Sequence, residues 1–127
     1  MTQNNKIMLQ QRGHDFVTYR DYLCEFGGKI EADELPIQAL TRELNEELGA
    51  IVDAADVTYF GAITEAMSEH TELVHTYFWH DKKGTISGCY EGTAKYFDDV
   101  SAIFPIRKKT DCLRWLLEQC QQNGLLK

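Results

Sequence analysis

Three glutamates crowd one side of a single amphipathic segment, and no other stretch of the sequence narrows the fold as much. Pro36 to Leu48 place apolar side chains at helical spacing, with Pro36 suited to a first turn and Gly49 to the position just past the end. With Leu44 set at zero on a helical wheel, Ile37, Leu40 and Leu48 fall within about 40°, a narrow stripe that faces a core. Glu47, Glu43 and Glu46 follow at about −60°, −100° and −160°, so three carboxylates share one arc beside the buried seam. Like charges at these spacings repel by a few tenths of a kcal/mol per pair, and a helix C-terminus prefers cations. Arg42 neutralises one acid or reaches back to Glu34, but it cannot serve all three. A solvated acidic face is the plainer explanation of the carboxylates alone. A divalent cation accounts for their crowding as well, because magnesium binds through one or two carboxylates together with waters and substrate phosphates.

Around this helix the pattern alternates between strand and turn. Residues 7–11 read as a short strand ended by Arg12-Gly13, and residues 17–26 as a second extended piece with Tyr22, Cys24 and Phe26 on one face. Residues 57–64, 73–80 and 85–90 read as strands, the last two joined by the turn 81–84. Residues 100–103 fit a helical turn or a strand end. Thr110 or Asp111 caps a final helix to about Gln122, with Leu113, Leu116, Leu117 and Cys120 at helical spacing and Asn123-Gly124 as its stop. Trp115 on that helix reads as packing. The expected fold class is α/β, an α/β/α sandwich with a mixed β-sheet. At 127 residues, without an internal repeat or linker, the chain is expected to form one domain, residues 1–127.

Charge and thiols limit the partners. Thirteen basic against 20 acidic side chains give a net −7, which argues against a broad grip on a nucleic acid polymer. An anionic ligand must then be met by a metal or a few aimed donors. Cys24, Cys89, Cys112 and Cys120 lack zinc spacing and read as free thiols in a reducing compartment. His14, His70, His75 and His80 share no ligand spacing either. The start has no apolar segment of signal-peptide length, and no run of about 18 apolar residues occurs, so the expected location is cytoplasmic with no membrane partner.

Residues 28–50, GKIEADELPIQALTRELNEELGA, match the box of the Nudix hydrolases, G-x5-E-x7-R-E-U-x-E-E-x-G-U with U apolar. Every fixed position is filled: Gly28, Glu34, Arg42, Glu43, Glu46, Glu47 and Gly49, with Leu44 in the first apolar slot and the smaller Ala50 in the last. The segment from Phe26 to Glu31 resembles the loop of MutT-type nucleoside triphosphate pyrophosphohydrolases, without their proline before the two glycines. Residues 9–12 resemble the strand before it, and Glu91-Gly92 followed by Phe97 is similar to a downstream loop that supplies one more acidic ligand.

The resemblance implies a Mg²⁺-dependent hydrolase, with Mn²⁺ as a substitute, that cleaves the phosphoanhydride bond of a nucleoside triphosphate or related nucleotide derivative. It implies Glu43, Glu46 and Glu47 as metal ligands, completed by the Gly27 carbonyl and Glu91. Glu43 is the preferred general base and Glu91 its rival, taking a proton from the attacking water. Arg42 and Glu34 form an orienting ion pair, and Gly28 and Gly49 shape the ends of the box. Arg12 and Lys29 are candidates for the substrate phosphates or else surface cations. Tyr77, Phe78, Trp79 and Tyr90 either stack on a base or fill the core. A silent, nucleotide-binding regulatory module is the alternative, and loss of a box carboxylate would be its mark; none is lost. The resemblance also departs in places. The family's usual first strand is not supplied, so the sheet is short or completed by a partner, which makes a homodimer an expectation. No asparagine stands at 104–108 to read an oxidised guanine, and no proline or tyrosine lies between Ala62 and Thr71, where ADP-ribose and dinucleoside polyphosphate hydrolases carry theirs.

Overall fold

The computed structural model describes residues 1–16, 19–27, 30–64 and 73–126. Its centre is strand β1 (Ile7–Gln11), whose first four residues are all buried. Because side chains alternate across a strand, β1 serves two cores at once. Ile7 and Leu9 join Leu23, Val100, Ile103, Leu113 and Leu117 on one side, while Met8 joins Leu44, Leu48, Ala50 and Trp79 on the other. The first cluster includes helix α2 (Asp111–Gln122) and the second helix α1 (Pro36–Leu48), which gives the helix, sheet, helix layering.

Strand β2 (Leu23–Cys24) and strand β5 (Thr93–Phe97) flank β1, both antiparallel to it, in the order β2-β1-β5. The parallel pairing is a single bridge between Leu23 and Lys109, which ties the approach to α2 onto this sheet. Strands β3 (Val57–Thr64) and β4 (Leu73–Trp79) form a separate antiparallel pair with a bulge between Tyr59 and Gly61. Gly61 takes φ +111 there, a backbone state that L side chains rarely adopt.

Both helices start and stop where the sequence signals them. Pro36 opens α1, and Gly49 ends it at φ 64, its N–H donating to the Asn45 carbonyl at 2.9 Å. A side chain on Gly49 would collide with Ser87, whose Oγ lies 2.0 Å from the position of an added Cβ. Thr110 Oγ1 caps α2 by accepting from the Leu113 N–H at 3.1 Å. Residues 100–103 resolve as a 3-10 turn over Val100–Ala102.

Two strand expectations need correction. Residues 85–90 are not a strand. The Asp81 carboxylate takes the N–H groups of Thr85 and Ile86 at 2.9 and 3.0 Å. Those of Ser87 and Gly88 go to the Leu48 carbonyl, and that of Tyr90 to Glu47 at 2.7 Å. The segment is thus a strap across the end of α1, where helix carbonyls need donors. The strand that follows β4 is instead β5, which lies in the stretch expected as loop and pairs with β1 rather than with β4. The extended piece at 17–26 shrinks to Leu23–Cys24, because Tyr19 and Asp21 adopt φ 51 and 60 and turn the chain; residues 17 and 18 lie outside the described residues.

Candidate functional site

The strap carries Glu91 toward the acidic arc of α1. Glu47, on the edge of the buried stripe, is only 4% exposed, an unusual position for a carboxylate. Its Oε2 accepts from the Gly27 N–H at 3.1 Å, and the Glu91 carboxyl lies near enough to act on its ionisation. Burial foremost, then the Glu91 carboxyl and the charge of Glu43, push Glu47 up to about 8 from 4.5, against the pull of the Gly27 N–H. Gly27 has φ +147 with open space where a Cβ would sit, so glycine is needed there for its backbone and not for room.

Arg42 organises the other acids. It grips Glu34 with two bonds, Nε to Oε2 at 2.8 Å and Nη2 to Oε1 at 3.0 Å, and reaches Glu43 Oε1 from Nη1 at 2.7 Å. This fork holds Glu34 below its ordinary carboxylate value, helped by the Glu31 N–H. Glu46 meets the same guanidinium at 3.4 Å but is 59% exposed. The three acids of the arc therefore divide: Glu47 is buried against Glu91, Glu43 lies between, and Glu46 faces Arg42 and solvent.

A cavity of about 730 Å³ opens over this group, within the range of roughly 300–1,000 Å³ typical of small-molecule sites. Glu43, Glu47, Glu91 and Gly27 line it, as do Arg12, His75 and Tyr77. Arg12 also stacks over Phe16, its Cζ 4.2 Å from the ring centroid. Tyr77 lies beside Tyr59, ring centroids 5.0 Å apart, and the Tyr59 hydroxyl meets His75 Nδ1 at 2.9 Å. Among the other proposed stacking residues Trp79 is buried in the α1 core and Tyr90 is exposed, with its hydroxyl on Ser87. Gly28, Lys29 and His70 lie outside the described residues.

Gln10 carries no role in the sequence pattern, and Cys24 and His75 read there only as a free thiol and a histidine without ligand spacing. Yet Cys24 and His75 line the cavity, and Gln10 bonds the Glu91 carbonyl. Gln10 left a weak signal, a polar residue directly after three apolar ones in a strand, and once buried its amide must find hydrogen-bond partners. His75 left none beyond its place on a strand.

Among the described residues no group of three or more His, Cys, Asp or Glu side chains is arranged to hold a metal ion. The donor set is instead a carboxyl pair, Glu47 with Glu91, and Glu43 on the same wall. That set fits magnesium, which uses one or two protein carboxylates and leaves its other positions to water and phosphate. A cation there would also relieve the crowding that raises Glu47.

Comparison with known proteins agrees with this geometry. The family model described as NUDIX domain matches residues 1–115. CTP pyrophosphohydrolase of Escherichia coli (strain K12) is 38% identical over 86 residues, covering 65% of this chain and 59% of the relative, so this chain spans less than two thirds of that protein's length. A bifunctional NMN adenylyltransferase/ADP ribose pyrophosphatase from Francisella tularensis superposes with a TM-score of 0.67 at 16% identity, over 94% of this chain and 38% of that one. DR0079 from Deinococcus radiodurans gives 0.63 at 16% identity, over 94% of this chain and 76% of the other. At such identities the structural likeness establishes the fold. No described helix is long and apolar enough to cross a membrane.

Proposed function

This chain belongs to the Nudix family, and from that membership we propose that it is a Mg²⁺-dependent pyrophosphohydrolase acting on a nucleoside triphosphate or a related nucleotide derivative. The observation that carries the proposal is the buried Glu47 with the solvent-exposed Glu91 beside it on the wall of a nucleotide-sized cavity, next to Glu43. CTP is the first substrate to try, since a relative of this chain is a CTP pyrophosphohydrolase.

In this reading Glu43, Glu47, Glu91 and the Gly27 carbonyl would hold the cation, and Glu46 would join them by turning away from Arg42. A bound divalent ion supplies charge screening of the diphosphate and a more acidic water. The chain's own residues do the rest. Glu43 takes the proton of the attacking water, with Glu91 as the other candidate. Arg42 keeps the Glu43 carboxylate in place while pinning Glu34 and its loop. Arg12 offers a guanidinium to the phosphates from the cavity wall, with Lys29 as a second cation, and Tyr77 and His75 give the base an aromatic surface. Mn²⁺ substitutes for Mg²⁺ in the same oxygen-rich set. An edge-paired homodimer belongs to the proposal too, since β5 ends the β2-β1-β5 sheet. Its test is the hydrodynamic mass. The four free thiols suit a cytoplasmic setting.

The decisive assay follows phosphate or pyrophosphate release from a nucleotide panel that includes CTP, with Mg²⁺, for the native chain and for Glu43→Gln and Glu47→Gln. Turnover that both substitutions reduce by at least about 100-fold is expected. Turnover indifferent to both would remove the mechanism, and nucleotide binding without turnover would favour a regulatory module.

A further inference from the structure

Gln10 is 2% exposed, and both ends of its amide are engaged at the rim of the site. Nε2 donates to the Glu91 carbonyl at 3.0 Å. Oε1 accepts from Arg12 Nη1 at 3.3 Å and from the Cys24 thiol at 3.3 Å. The amide has one workable orientation. A guanidinium only donates and a backbone carbonyl only accepts, so turning the amide over would set donor against donor and acceptor against acceptor. Gly92 presses on the same side chain: a Cβ there would sit 3.0 Å from Gln10 Cγ, and its φ is +69. Strand pairing fixes the base of Gln10, which stands opposite Cys24 on β2 and Ala94 on β5.

We propose that Gln10 is a positioning residue, holding the Glu91 loop and the Arg12 guanidinium in one register through the two ends of its amide. It touches no reacting atom. It couples the acid side of the cavity to its cationic side, so that Glu91 meets Glu47 while Arg12 stays at the phosphate end. The role rests on the hydrolase reading above. The burial that keeps the Cys24 thiol protonated, pushing it up to about 12, keeps it a donor to the same oxygen.

Two substitutions separate the arms. Gln10→Glu keeps acceptors for Arg12 and Cys24 but turns an acceptor on the Glu91 carbonyl; Gln10→Met keeps the length and loses both arms. We expect Gln10→Glu to lower kcat about tenfold with KM within about twofold, and Gln10→Met to lower kcat similarly while raising KM several-fold. Equal losses in both variants without this split, or no loss in either, would overturn the role. Hydrogen exchange of the backbone amides at 89–92 gives a readout apart from turnover: about tenfold faster exchange is expected in both variants, and unchanged protection would overturn the proposal. Should either variant fail to fold, the other still tests the Glu91 arm. Absence of turnover in the native chain would end the hydrolase reading, while the exchange result would still decide whether Gln10 holds the loop.

Discussion

The two helices flank the same strand and differ by one residue in length, thirteen in α1 and twelve in α2, yet they are built for different ends. Helix α2 buries Cys112, Leu113, Leu116, Leu117 and Cys120, all of them apolar or weakly polar. Helix α1 buries Ala39, Leu44 and Leu48 but adds Glu47. A seam position that α2 gives to a hydrophobe is given in α1 to an acid held against another acid, an arrangement that costs stability and is retained where a site needs it. One helix makes the core and the other makes the site from the edge of the core.

The comparison breaks most visibly under paired substitutions. Glu47→Gln keeps the shape but removes the carboxyl that would ionise on meeting a cation, and it is expected to cost at least about 100-fold in turnover without loss of folded protein. Leu113→Ala in α2 is expected to do the opposite, destabilising the fold by about 3 kcal/mol in urea titrations while leaving kcat of the folded fraction near that of the native chain. Similar profiles for the two variants would end the distinction.

A smaller effect appears with pH. Glu47 is held near 8 in the folded chain against 4.5 as its ordinary value, so the native state binds a proton that the unfolded chain releases across that interval. The contribution is full below about 4.5 and is lost as pH rises toward about 8. In chelator, the melting temperature should therefore fall from pH 5 to pH 8, and Glu47→Gln should flatten that dependence. The smallest effect is Thr110→Ala, which removes the cap of α2 and is expected to cost about 1 kcal/mol with turnover untouched.

Helix boundaries were legible because punctuation and periodicity agree: Pro36 and Gly49 enclose α1, and Thr110 and Asn123 enclose α2. Strands were legible where the alternation was uninterrupted, as in β1, β3 and β4. Residues 85–90 misled because their alternation is that of a strand, while their N–H groups are claimed by Asp81 and by the carbonyls at the end of α1. Asp81 is near in sequence, but the helix carbonyls are remote from any local pattern. The same distance hid the amide of Gln10 between the Glu91 carbonyl and Arg12, while Glu91's place beside the helix acids was legible only through the family resemblance. Glu46 shows the limit from the other side. Helical spacing puts it in the acidic arc, but the wheel does not tell that Arg42 draws it outward.

In the proposed reading, Glu47 and Glu91 are crowded because they receive a divalent cation. Calorimetric titration of the native chain with Mg²⁺ or Mn²⁺ at pH 7, repeated in buffers of different ionisation enthalpy, measures binding and proton release together. Binding accompanied by proton release is expected, both lost in Glu47→Gln. Binding that survives Glu47→Gln with no proton released, or no binding in the native chain, would contradict it.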